Sequence, residues 1–140
     1  MKYSDASFKL IAVGGQFLNS EAVYENYATY PEERLMILDR LEKEGIKGVV
    51  FLTGDRHHTV LSELALPNGQ VVHDLTVSPL TSGTHAPTET NTNAVEGTLV
   101  VDQNFATLRF TGPKKERQMT ITVRDAQGKE RWTRTILQNR

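Results

Sequence analysis

Asp55, His57 and His58 are crowded directly behind the short apolar run Val49-Val50-Phe51-Leu52 and a glycine, Gly54. A carboxylate and an imidazole that point together are ligands for a metal ion. In extended backbone, residues two apart share a side, so Asp55 and His57 are expected to converge while Arg56 and His58 face elsewhere. Gly54 lets the backbone turn, or come close to a ligand, without a Cβ in the way. The same cluster also reads as a plain strand-end turn, in which Asp55 caps local N–H groups and the histidines are surface residues. Both readings stand on these residues alone.

Positioning such a cluster takes a buried strand beneath it and a helix to cover that strand. The β-branched run at residues 49–52 reads as a strand buried on both faces, with the cluster at its carboxyl end, where open sheets place ligands. Before it, Pro31 opens a helix predicted over residues 31–44. Glu32 and Glu33 complement its positive end, Leu35, Ile37, Leu38 and Leu41 form its apolar stripe, Lys43 lies in its last turn and Gly45 stops it. Arg34, on the first turn, is either a solvated charge or a residue reaching toward the chemistry. A first strand is expected over residues 8–13, ended by Gly14-Gly15. Tyr24, Tyr27 and Tyr30 then lie in an irregular stretch, where they either cover the core edge or stack on a substrate.

Beyond the cluster, residues 60–66 and 71–77 read as a hairpin across Pro67-Asn68-Gly69, with His73 a satisfied or edge residue. A loop of small hydroxyl residues follows, in which Ser78, Thr81 and Ser82 offer hydrogen bonds. Residues 88–93 are rich in Thr, Asn and Glu and are expected to be mobile. Two further hairpins are predicted from alternating patterns, one joining residues 98–102 to 105–110 and one joining 119–124 to 130–136. The fold class is therefore α/β (α+β): a mixed sheet with one main helix and antiparallel hairpins at the carboxyl end, in a single domain spanning residues 1–140.

Bulk properties narrow the function classes. Sixteen basic and seventeen acidic side chains leave the chain near neutral. That argues against nucleic acid or an anionic membrane as the main partner, since both need a basic face. The absence of cysteine rules out thiolate metal ligands, a cysteine nucleophile and a disulfide framework. Residues 1–5 do not lead into a signal-peptide core, and no apolar run reaches membrane-spanning length.

Four separated blocks together resemble the PhoD-type alkaline phosphatases of the metallophosphoesterase superfamily. They are Gly14-Gly15-Gln16-Phe17, Tyr30-Pro31-Glu32-Glu33-Arg34 with its helix, the run from Val49 to His58, and the run from Asp74 to Gly83. The resemblance covers about Phe8 to about Ile136 and implies the carboxyl-terminal part of a layered metallophosphoesterase sandwich. Where the superfamily ends its metal region with Gly-His-x-His, this chain has Gly54-Asp55-Arg56-His57. The resemblance thereby assigns Asp55 and His57 to two metal ions, with a carboxylate suiting calcium and an imidazole suiting iron. It makes Arg34 and His58 weaker candidates for holding the phosphoryl group. The family's amino-terminal Gly-Asp and Gly-Asn-His-Asp blocks are not in this sequence. The expectation is thus a segment of a phosphatase or phosphodiesterase, inactive alone and completed by an amino-terminal half or by self-association. Members of the family are commonly exported. The competing reading is a non-catalytic, β-rich interaction module.

Overall fold

Successive side chains of a strand point to opposite faces, and in the strand before the metal-like cluster both faces are apolar. The computed structural model describes residue 1 and residues 3–138. Lys2, within the stretch read above for a signal core, lies outside the described residues. Strand β1 (Lys9–Ala12) leads through a turn at Tyr27–Thr29 to helix α1 (Pro31–Lys43), then to β2 (Val49–Thr53). The hairpin β3 (Val60–Ala65) and β4 (Val71–Thr76) follows. After a long loop come β5 (Asn104–Thr111), β6 (Gln118–Asp125) and β7 (Glu130–Leu137).

Two sheets result. The first runs β1-β2-β4-β3, with β1, β2 and β4 parallel and β3 antiparallel to β4. The second is the antiparallel meander β5-β6-β7. Val49 and Phe51 face one core, shared with Leu38 and Leu41 of α1 and with Phe17 and Leu18. Phe17 stacks on Phe51 with ring centroids 3.8 Å apart and planes 12° apart. Val50 faces the other core, where Leu61 and Leu75 meet Met119, Ile121, Val123, Trp132 and Ile136 of the second sheet. The layers are therefore helix, mixed sheet and antiparallel sheet, with β2 sealed between two apolar cores. Among the described residues, no helix is long and apolar enough to cross a membrane.

The predicted helix, the β2 strand and the hairpins over residues 60–77 and 119–136 are found within a residue or two of their expected bounds. The hairpin predicted over residues 98–110 is not formed. Val100 exchanges two backbone hydrogen bonds with Thr59, both 2.8 Å, so this segment covers the outer edge of the first sheet. Strand β5 pairs with β6 along its whole length instead. An alternating pattern specifies which face of a strand is buried, but it does not specify the neighbour.

The loop expected to be mobile is fastened. Asn91 Nδ2 donates to Ser62 Oγ (3.0 Å), and Asn93 Nδ2 donates to the Leu18 carbonyl (2.8 Å). The Asn93 carbonyl in turn accepts from the Glu63 N–H (2.9 Å). These asparagines take up groups of β3 and of the segment after β1 that would otherwise need water.

Candidate metal centre

The chain leaves β2 at Thr53 and turns sharply, because Asp55 (φ 63°) and His57 (φ 57°) both adopt left-handed backbone. The extended geometry expected of this stretch is thus absent. The two side chains nevertheless line one cavity of about 540 Å³, together with Tyr24, Glu25, Arg56, Gly83, Thr84 and His85. Asp55 is exposed and His57 half-buried. Left-handed backbone is uncommon for any residue but glycine and, to a smaller degree, Asn, Asp and His. The surrounding structure has to hold it in place.

For His57 the holding contacts are visible. Its ring Nδ1 lies 2.5 Å from the Gly83 carbonyl oxygen, and its own carbonyl accepts from the His85 N–H at 2.9 Å. A carbonyl can only accept, so Nδ1 is the ring nitrogen that donates, and Nε2 is the one left to serve as a ligand atom. Ring orientation by a carbonyl in this way is the usual arrangement behind a metal-binding histidine. Ser82 Oγ stands 3.2 Å from the same Nδ1, and Gln103 Nε2 donates to the carbonyls of Thr81 (2.9 Å) and Ser82 (3.1 Å). The turn before β5 thereby reaches across to the loop that orients His57.

Arg56 does not face away from this region, as the spacing argument expected. Its guanidinium is buried, donating to Gln16 Oε1 at 2.7 Å and pairing with Glu89 at 2.6 Å. Burial raises the Glu89 carboxyl. Hydrogen bonds from its own backbone N–H, from Arg56 and from Asn19 outweigh that and hold it below the usual carboxylate range. His58 is buried, with Nδ1 3.2 Å from the His85 carbonyl, and it lines a separate cavity of about 120 Å³ with Gln16, Asn19 and Glu89. Burial, then the Arg56 charge, push its imidazole below the ordinary value. The ring is neutral and directed into the protein rather than into the Asp55 cavity.

Arg34 is likewise outside the cavity wall. Its Nε donates to the Phe17 carbonyl (2.9 Å) and its Nη2 to that of Leu18 (3.3 Å). From the opposite side the buried Asp74 carboxylate accepts the N–H groups of Phe17 (2.7 Å) and Leu18 (2.8 Å), and Thr53 Oγ1 donates to it at 2.7 Å. Burial raises the Asp74 carboxyl, while these donors and Arg34 act the other way. Arg34 and Asp74 together clamp the segment after β1 over the end of β2.

Nothing in the sequence marks Glu25, His85 or Glu89 as site residues, and Tyr24 reads there, with Tyr27 and Tyr30, as core cover or stacking surface. No local pattern marks Glu89 or His85, because each reaches its partner across more than twenty-five residues of chain. Among the described residues, no group of three or more His, Cys, Asp or Glu side chains is placed to hold a metal ion. Asp55 and His57 share the cavity as two residues without a third such ligand beside them among the described residues.

The chain is matched over residues 4–132 by the family model for PhoD-like phosphatases. It also resembles a solved structure of PhoD, with a TM-score of 0.64 and 16% identity, over 96% of this chain and 32% of that one. That likeness shows the fold, and it shows that this chain spans about a third of the solved one. No curated protein matches the chain. On the family match, which takes in the Asp55–His57 turn and both sheets, the chain belongs to the PhoD-like phosphatases.

Proposed function

We propose that this chain supplies one wall of a metal-dependent phosphoesterase centre that hydrolyses phosphate monoesters or diesters, and that it is inactive until further ligands complete the metal shell. The observation that carries the reading is the convergence of Asp55 and His57 on one cavity at the carboxyl end of β2, with the His57 Nδ1 proton held by Gly83. That leaves a carboxylate and the Nε2 lone pair for metal ions, a donor set suited to a hard ion such as calcium beside a softer one such as iron. Ions held there would supply Lewis-acid polarisation of a phosphate ester and lower the pKa of a water. In this chain Asp55 and His57 would hold the ions, Gly83 and Ser82 would hold His57, and the Arg56–Glu89 pair would hold the turn between them. Arg34 and His58 support the loops and do not touch the phosphoryl group.

Two ligands bind a divalent ion weakly in water, and a preorganised shell is what makes metal catalysis strong. The partners of this reading are a phosphate-ester substrate and an amino-terminal segment bearing the other ligands, or else a second copy of this chain. The test is hydrolysis of bis(p-nitrophenyl) phosphate and p-nitrophenyl phosphate with calcium, iron, manganese or zinc. The 140-residue chain alone is expected to be inert. Fused to the amino-terminal segment of a PhoD-like phosphatase it is expected to turn over, and to lose at least about a hundredfold on His57→Ala or Asp55→Asn. Metal-dependent turnover by the purified chain alone, in a preparation free of host phosphatase, overturns the half-site reading. An active fusion indifferent to both substitutions overturns the assignment of Asp55 and His57.

A further inference from the structure

We infer that the cavity beside Asp55 and His57 takes the organic substituent of the phosphate ester against the Tyr24 ring, so that the site selects esters of planar aromatic groups. This rests on the phosphoesterase reading above, in which the phosphoryl group lies at Asp55 and His57. At about 540 Å³ the cavity is within the ~300–1,000 Å³ of typical ligand sites, and larger than a phosphoryl group alone needs.

Among the described residues, three that are not glycine have positive φ: Tyr24 (52°), Asp55 (63°) and His57 (57°). All three line this cavity. For a side chain as bulky as tyrosine such backbone is a true outlier, and strain of this kind collects at functional sites. The strain does not serve core packing. Tyr27 covers the core, with its ring 4.8 Å from Phe17, while Tyr24 remains 61% exposed.

The exposed ring is nevertheless held. The Arg56 guanidinium lies 4.8 Å from its centroid, and His85 meets it edge-on at 6.5 Å and 85°. Arg56 is itself fixed by Gln16 and Glu89, so the aromatic surface is set before any ligand arrives. Glu89 balances Arg56, so on the wall away from the metal pair the carboxylate that remains is Glu25, and beside it an anionic substituent is disfavoured. The ring that fits is neutral or cationic.

The test uses the 140-residue chain without metal and follows its amide and aromatic NMR signals during titration with phenol and, separately, cyclohexanol. Saturable shifts of Tyr24 and His85 are expected with phenol, with at least about fivefold weaker binding of cyclohexanol. Tyr24→Phe keeps the phenol response and Tyr24→Leu loses it, while the unchanged remainder of the spectrum certifies the fold. Equal binding of the two alcohols, no saturable shift at Tyr24, or undiminished binding by Tyr24→Leu overturns the proposal. Manganese titration of the chain fused to the amino-terminal segment of a PhoD-like phosphatase reads the metal pair separately through broadening at Asp55 and His57. Broadening without a phenol response removes the aromatic subsite and leaves the phosphoesterase reading; a phenol response without broadening leaves an aromatic pocket and overturns its role in ester selection.

Discussion

His57 Nδ1 stands 2.5 Å from the Gly83 carbonyl oxygen, joining the turn after β2 to the loop after β4. This contact decides which ring nitrogen is free. It in turn depends on Gln103, whose amide holds the carbonyls of Thr81 and Ser82. Replacing Gln103 with Ala is expected to shift the His57 ring toward a mixture of tautomers, read from its ¹⁵N chemical shifts. Stability should change by less than about 1 kcal/mol, since the bonds are exposed. Unchanged ring shifts in Gln103→Ala would remove Gln103 from the positioning of His57.

Arg56 belongs to a buried ion pair, so Arg56→Ala removes the counter-charge of the Glu89 carboxylate and leaves Asn19 as the side-chain donor to it and to the Gln16 side-chain oxygen. A loss of about 3–5 kcal/mol is expected, a large part of a domain's total stability. Denaturant unfolding measures it. The double substitution Arg56→Met with Glu89→Leu should recover much of the loss, because no unpaired charge then remains. A single Arg56→Ala variant as stable as the parent would show that the pair is not formed in solution.

His73 is buried beside Glu63, 3.5 Å away, and burial pushes its imidazole down from 6.5 to about 4. The unfolded chain therefore takes up a proton between pH 6.5 and 4 that the folded chain refuses. Stability from this group is complete above pH 6.5 and is lost as pH falls through that window, by up to roughly 3 kcal/mol. Burial lowers His58 in the same direction. Thermal unfolding at stepped pH should show the decline, and His73→Gln should flatten it. An equally steep decline in His73→Gln would exclude this residue as its cause.

Gly48 and Gly45 both have positive φ, 68° and 60°, but their surroundings differ. A Cβ on Gly48 collides with the Ser7 backbone carbonyl, whereas one on Gly45 meets open space. Gly45→Ala is expected to cost about 1 kcal/mol from backbone strain alone, and Gly48→Ala more than about 2 kcal/mol. Equal losses in the two variants would mean that the β1 entry relaxes freely around residue 48.

Local pattern was enough for those elements whose partners lie next to them in the chain. Helix α1 carries its own start, stripe and stop between Pro31 and Gly45. The apolar residues of β2 announce burial on both faces, and the β3–β4 and β6–β7 hairpins are joined by short turns. Asp55 and His57 do line one cavity, but through left-handed backbone rather than through the extended two-residue spacing that predicts their convergence. What the chain could not show locally is which distant groups meet. Residues 98–102 alternate as a strand should, yet the open edge at Thr59 took Val100, and β6 took β5. Arg56 turned inward because Gln16 and Glu89, 40 and 33 residues away, offered it oxygens. The left-handed backbone at Tyr24, Asp55 and His57 is likewise a tertiary outcome. No local propensity favours it for tyrosine, so it persists only where contacts from other elements outweigh its strain, and only the folded chain brings those contacts to one place.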